Sequence, residues 1–368
     1  MNITIVRESL LNVLQKSGYF ISNKISDLKI FKAVLITARQ DGVVINTTNV
    51  NEYFSGEIGG KVYKTGAVLV DFKTLFEIVK NLSDAKITLE KTSKQLIISG
   101  KAGEIKLVCL DETNFPTPEK TDKTTNLLPA LFNSEIIQSV LLSCATDEAR
   151  PILTGLCFDF QEKETVIVGT DGFRMSLSRF ESTITELVGQ KLVLSGKSLA
   201  AVLKIFKATP PKVLFSQSER KVIFQGEGAT VSTRLLEGEF PPYERVIPQT
   251  NETSITLKKN EFFEAVRSSS LFAKEGSNML NLVINKENLI ISSAGAGIGE
   301  ATIKVGVENF SGKENKIVFN YRYLLDYLNN SPDGEVVLEM TSAFAPGVFR
   351  NSKTPQNLHV IMPIRSQE

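Results

Sequence analysis

Asp71-Phe72-Lys73-Thr74-Leu75-Phe76-Glu77-Ile78-Val79-Lys80-Asn81-Leu82-Ser83 carries apolar residues at 72, 75, 76, 78, 79 and 82. They form one stripe with a period near 3.6, so the stretch predicts an amphipathic helix. Two others echo it: residues 195–207, with Leu199, Val202, Leu203, Ile205 and Phe206, and residues 320–330, with Tyr323, Leu324, Leu325, Tyr327 and Leu328. Their starts lie about 125 residues apart, the fixed spacing of an internal repeat. Helical stripes at 6–17 (Val6, Leu10, Leu11, Val13, Leu14), 134–144 and 258–272 keep the same period. So do alternating, strand-like runs at 34–45, 156–168 and 281–291, the last two interrupted by Gln161-Glu162-Lys163-Glu164 and Asn285-Lys286-Glu287-Asn288. Paired-strand stretches follow at 86–99, 212–225 and 335–348. Phe115-Pro116 and Phe240-Pro241 close the first two units, and the third ends in a strand at 358–362 followed by Pro363. Markers sharing one phase imply three tandem copies of an α+β unit, with domains at 1–122, 123–249 and 250–368. Polar, proline-flanked joints are expected near 118–126 and 248–253.

At 368 residues the chain exceeds the roughly 250–300 at which one core stops growing, which also favours several domains. Its 42% hydrophobic and 23% charged residues describe a globular protein, not a disordered one. Cys109, Cys144 and Cys157 are odd in number and far apart, fitting neither a disulfide framework nor a zinc site. A reducing cytoplasm is the expected location. The opening residues lack a basic segment followed by an apolar one, and no apolar run approaches the ~18–20 residues that span a bilayer. Export and membrane insertion are not expected, so the glycosylation-like triplets at Asn46, Asn81, Asn251 and Asn329 carry no weight.

Catalysis at neutral pH usually calls on a tuned acid, base or nucleophile, most often histidine. This chain has one, His359, in an alternating run that makes it a strand residue. Neither it nor the cysteines have metal-ligand spacing, so no metal and no cofactor are expected. Gly295-Ala296-Gly297-Ile298-Gly299 resembles a dinucleotide fingerprint, yet Glu300-Ala301-Thr302-Ile303-Lys304-Val305 then alternates as a strand where a helix is needed. Ser195-Gly196-Lys197-Ser198 has Lys191 where a phosphate loop needs its first glycine, and reads as a helix start with a Ser cap. The chain is expected to work by binding.

Net charge is only +1, which alone argues weakly against nucleic acid. Its distribution is uneven: the six helical stretches hold 11 Lys/Arg against 7 Asp/Glu, and everything else 31 against 34. Residues 195–207 are the most lopsided, with Lys197, Lys204 and Lys207 and no acid. Charge on helices usually marks a solvated face, but a shared helical surface here would be the positive one.

Four motifs are more specific: Ala145-Thr146-Asp147-Glu148-Ala149-Arg150-Pro151-Ile152-Leu153-Thr154-Gly155, Gly169-Thr170-Asp171-Gly172-Phe173-Arg174-Met175, Gly238-Glu239-Phe240-Pro241-Pro242-Tyr243-Glu244-Arg245-Val246-Ile247-Pro248, and Val360-Ile361-Met362-Pro363-Ile364-Arg365. In this order, and over the whole chain, they resemble the bacterial DNA polymerase III beta subunits, the replicative sliding clamps. The resemblance implies three similar clamp domains, each with two helices packed on antiparallel sheets, and two subunits pairing head to tail into a ring. Helices would line the hole and sheets the outer wall. Such a homodimer would encircle double-stranded DNA, contact phosphates without reading bases, and be retained by topology.

The resemblance further implies one peptide-binding groove per subunit for replicative polymerase, clamp loader and repair proteins. Matching positions are Leu153, Thr170, Gly172, Arg174, Met175, Pro241, Arg245, Val246, Val360, Met362 and Pro363, with Asn320, Tyr323, Phe344, Pro346 and Arg365 as an outer part. Leu, Met, Val and Pro would bury a partner's apolar anchors while Arg174 and Arg245 donate hydrogen bonds; without the resemblance, each apolar residue could equally be core. For DNA the matching positions are Lys24, Arg150 and Lys197, with Lys204 and Lys207 added on charge. Three features depart from the family pattern: residues 25–29 lack its proline-rich stretch, Phe173 replaces a frequent polar aromatic, and Ser366-Gln367-Glu368 extends the end. The expected function is that of a non-enzymatic processivity factor. The rivals are an enzyme with an inter-domain active site, which the single histidine opposes, and a protein-only scaffold ring.

Overall fold

The computed structural model describes residues 1–365 other than 23, 25–27, 102, 118–122, 183 and 296. Among the described residues six α-helices appear where the repeat requires them: α1 (Arg7–Ser17), α2 (Phe72–Asn81), α3 (Ser134–Leu141), α4 (Gly196–Ile205), α5 (Lys259–Lys274) and α6 (Tyr321–Asn330). Side-chain caps open α2, α3 and α6. The Asp71 carboxylate accepts from the Thr74 amide at 2.8 Å, Asn133 from Glu135 at 2.8 Å and Asn320 from Arg322 at 3.0 Å. Each satisfies an amide that the first helical turn leaves without a carbonyl.

The alternating runs are antiparallel hairpins. Ala33–Arg39 pairs with Gly42–Thr48, Gly155–Phe160 with Thr165–Thr170, and Met279–Ile284 with Asn288–Gly295. The polar tetrapeptides between the second and third pairs close as turns, Gln161 N to Glu164 O at 2.9 Å and Asn285 N to Asn288 O at 3.1 Å. Gly295 faces Gly299 at the end of a further hairpin, so the fingerprint look-alike is followed by a strand as expected; residue 296 lies outside the described residues. The Ser195-Gly196-Lys197-Ser198 segment likewise ends a strand (Lys191–Ser195) and opens α4. A Cβ at Gly196 would stand 2.9 Å from the Thr154 carbonyl oxygen, so close packing calls for glycine there.

Two compact units result. The first comprises Met1–Phe132 with Lys197–Leu235, and the second Asn133–Gly196 with Leu236–Glu368. The middle repeat is therefore shared, half to each unit. In the first unit its strand Ala229–Arg234 pairs with Glu52–Ile58, joining strands of the first and middle repeats into one eight-stranded antiparallel sheet. In the second, Arg174–Phe180 pairs with Thr354–Ile361 inside a nine-stranded antiparallel sheet. A five-stranded sheet completes the first unit and a four-stranded one the second. The joint expected at 118–126 begins in residues 118–122, outside the described residues.

Helix stripes seal these sheets. Leu10, Leu14, Leu75 and Val79 are fully buried against Ile3, Val34, Ile36 and Leu89 in the first unit. Phe262, Val266, Leu324 and Leu328 pack with Phe319, Leu338 and Phe349 in the second. Each such side chain contributes about 1.5–3 kcal/mol relative to exposure, which makes this repeated face the main source of stability.

Candidate partner-binding groove and basic helix

In the second unit, residues 170–175 form a tight turn at one end of a hairpin. Asp171 Oδ1 accepts from the amides of Phe173 at 2.9 Å and Arg174 at 3.0 Å, and Gly172 adopts φ +92°, a conformation that suits glycine. Thr170 Oγ1 donates to the Arg174 carbonyl at 2.7 Å, and the Met362 amide donates to the Phe173 carbonyl at 2.9 Å. These bonds hold the turn against the end of strand Thr354–Ile361, and together with the 3-10 segment Tyr243–Val246 they line a cavity of about 230 Å³.

Leu153, Thr170, Met175, Tyr243 and Val360 form its buried floor, and Val246 and Met362, each 38% exposed, stand at the rim with Gly172, Arg174 and Pro241. Nine of the eleven inner residues expected from sequence thus share one wall. The other two do not line the cavity: Arg245 is exposed on the 3-10 segment, and Pro363 lies half-buried just beyond Met362. Arg150, expected at DNA, lines this cavity and donates to the Asp171 carbonyl at 3.0 Å. Tyr243, not singled out from sequence, lines it too.

Arg174 is held on three sides. It pairs with Asp171 (Nε to Oδ2, 3.1 Å) and with Asp326 of α6, and its guanidinium lies 4.6 Å from the Tyr323 ring centre. Tyr323 of the outer set thus touches Arg174 without itself lining the cavity. Burial pushes the Tyr323 hydroxyl above its ordinary pKa, keeping it a neutral donor. Asn320 spends its side chain capping α6, and Phe344 and Arg365 are exposed while Pro346 is half-buried. Phe173 is also exposed, at the turn's tip; residues 366–368 lie outside the described residues.

His359 is a buried strand residue, as expected. Its Nδ1 lies 2.7 Å from Ser176 Oγ, itself 2.8 Å from Ser143 Oγ, and its ring stacks on Tyr327 with centres 4.9 Å apart. Burial first, and the Arg174 charge second, push its pKa down to about 3. A base with a depressed folded pKa binds its proton in the unfolded state first. Stability is therefore full above about pH 6.5 and should fall by about 1.4 kcal/mol per unit as the pH drops towards 3. Urea unfolding at pH 7 and 5.5 should show this loss in the protein but not in His359→Gln; equal losses would contradict it. Burial also raises the Cys144 and Cys157 thiols to about 12, far from a reactive thiolate. Among the described residues no cluster of three His, Cys, Asp or Glu side chains suits a metal ion, and no helix is long and apolar enough to cross a membrane.

The basic helix belongs to the first unit. Ala201, Val202 and Ile205 bury one face of α4, while Lys197 and Lys204, seven residues apart and so on one side, are exposed. Lys207 is exposed just past the helix, and Lys204 Nζ lies 5.3 Å from the centre of the Tyr19 ring. Lys24 is exposed in the loop beyond Tyr19, where residues 25–27 lie outside the described residues.

Comparison with known proteins agrees with this geometry. Residues 1–119, 128–242 and 244–365 match, in order, the N-terminal, central and C-terminal domains of the DNA polymerase III beta subunit. The beta sliding clamp of Bacillus subtilis is 28% identical, with both chains covered in full. A crystal structure of the DNA polymerase sliding clamp from Bacillus subtilis superposes with TM-score 0.91 at 26% identity, covering 100% of both chains. That of a DNA polymerase III beta chain from Streptococcus pneumoniae gives TM-score 0.91 at 22% identity, over 99% of this chain and 100% of the other, a likeness of fold. Three tandem clamp domains of α+β architecture make up the chain, which belongs to the DNA polymerase III beta subunit family.

Proposed function

We infer that the protein is a DNA-replication processivity factor that acts by binding: two copies close a ring around duplex DNA and tether partners through one groove each. Domains at 1–122, 123–249 and 250–368 fit this reading, as does a cytoplasmic site of action. The observation that carries it is full-length membership of the beta subunit family in a chain whose one histidine is sealed in a core.

Ring closure is supported by two strand edges. Gly103–Val108 ends the five-stranded sheet, with Val108 72% exposed, and Gly299–Gly306 ends the four-stranded sheet near Leu271, 67% exposed, and Ile298. Such edges invite pairing, and antiparallel addition of one copy's edge to the other's across a two-fold axis would cover both. The lysines of α4, with Lys24, supply sequence-blind attraction to phosphates. Replicative polymerase, clamp loader and repair proteins would present a peptide with apolar anchors for the Leu153–Met175–Val360 floor and an acceptor for Arg150. Arg245, Pro363 and the outer residues Asn320, Tyr323, Phe344, Pro346 and Arg365 would meet its flanks. The experiment is retention on closed-circular against linear DNA.

A further inference from the structure

Behind the groove lies a charged network built on one buried carboxylate, Asp159, and reaching the surface at Lys191 and Glu244. Tyr243, whose ring lines the cavity, donates its hydroxyl proton to Asp159 Oδ2 at 2.8 Å and accepts from Gln161 Nε2 at 3.3 Å. Asp159 is buried in the strand Gly155–Phe160, where every other side chain is apolar or absent and buried. Lys191, on the neighbouring strand Lys191–Ser195, places Nζ 3.5 Å from Asp159 Oδ2, 3.6 Å from Glu244 and 5.1 Å from the Tyr243 ring centre. One lysine thus neutralises the carboxylate and covers the ring bonded to it.

The Tyr243–Val246 segment is anchored in the apolar core through Tyr243 and its neighbours Phe240 and Ile247, but has few other hydrogen bonds among the described residues. Pro241 and Pro242 before it have no amide hydrogens, and its backbone bonds among the described residues are local turns, Arg245 N to Pro242 O at 3.2 Å and Ile247 N to Glu244 O at 3.4 Å. Where the backbone fixes a segment only to itself, its placement falls to side chains. We propose that Asp159 and Lys191 are positioning residues of the groove: through Tyr243 they hold the segment carrying Val246 in the peptide-receiving arrangement, while touching no peptide. A buried carboxylate suits the task, because a hydrogen bond to a charged group in a dry site is strong and directional, and losing its partner leaves the charge unsatisfied. This inference rests on the groove being the partner site.

The test is the affinity of a fluorescein-labelled short peptide bearing two leucines and one glutamate, measured well below the melting temperature. Tyr243→Phe keeps the ring and removes the hydroxyl; it and Asp159→Ala should each weaken binding about five-fold, and the double variant no more than either single one. Asp159→Asn, which keeps an acceptor, should bind within about two-fold of the unaltered protein, and this rescue stands as the comparison with Tyr243→Phe if Asp159→Ala does not fold. In protein labelled with 3-fluorotyrosine, the Tyr243 fluorine signal should be narrow, and broadened by Asp159→Ala or Lys191→Met. A lower melting temperature with unchanged affinity and an unchanged fluorine signal would overturn the proposal and leave the network a matter of stability. Binding that responds to Met362→Ala but not to Tyr243→Phe would overturn it alone, whereas no binding by the unaltered protein, or none that responds to Met362→Ala, would overturn the groove reading with it.

Discussion

Replacing Val246 and Met362 together by alanine is expected to weaken peptide binding about 100-fold without disturbing association between copies. Both side chains stand at the cavity rim, 38% exposed, so truncation leaves no void in the free protein. What is lost is the apolar area a peptide would cover, worth about 1–2 kcal/mol per side chain, or about one decade of affinity each. Leu153, Met175 and Val360 would be poor probes. They are buried in the free protein, and shortening them costs about 2–5 kcal/mol of folding stability for a large apolar side chain, which would confound binding with unfolding. Peptide anisotropy and native mass measurement on the same samples separate the outcomes. Loss of association between copies, with the peptide still bound, would mean that these residues serve an interface or core instead.

The second large effect concerns salt. Exchanging Lys197, Lys204 and Lys207 for alanine should leave folding intact, since all three are exposed, while flattening the dependence of DNA affinity on salt. Each phosphate neutralised by a lysine contributes about 0.9 to the slope of log affinity against log salt, so removing three should reduce it by about 2.7 per protomer in contact. Loss should be uniform across DNA sequences, because phosphate contacts carry no base information. The Lys204 ammonium lies over the Tyr19 ring, which limits its freedom without consuming its charge. A slope unchanged from that of the parent protein would remove α4 from the DNA surface.

The repeat was readable because it is written in local patterns. Helix stripes, turn residues such as Asn285, and caps at Asp71 and Asn320 each act within a few residues, and all share one period. The sharing of the middle repeat between two units was not readable. It depends on Ala229–Arg234 finding Glu52–Ile58 and on Arg174–Phe180 finding Thr354–Ile361, and strand alternation says which face is buried but not which partner is chosen.

At the groove, motif resemblance supplied most of the wall; it gave no sign that Arg150 would sit beside Asp171 at the cavity, or that Arg245 and Pro363 would stand outside its lining. Tyr243 carries no directional signal in the sequence, because a tyrosine in a proline-rich turn has no period to betray which way it points. Asp159 did leave a signal: an acid within Leu156-Cys157-Phe158-Asp159-Phe160 is out of place unless something buried pairs with it. Its partners, 32 and 84 residues away along the chain, required the fold.

Retention by enclosure, and not by adhesion, is the claim on which the functional account turns. The direct measurement loads the protein, with its loader, onto nicked circular DNA, then compares its lifetime there with that on the same DNA cut once, at a salt concentration that suppresses phosphate contacts. A closed ring should stay long on the circle and escape rapidly over the ends of the cut molecule. Equal lifetimes on the two forms would contradict it.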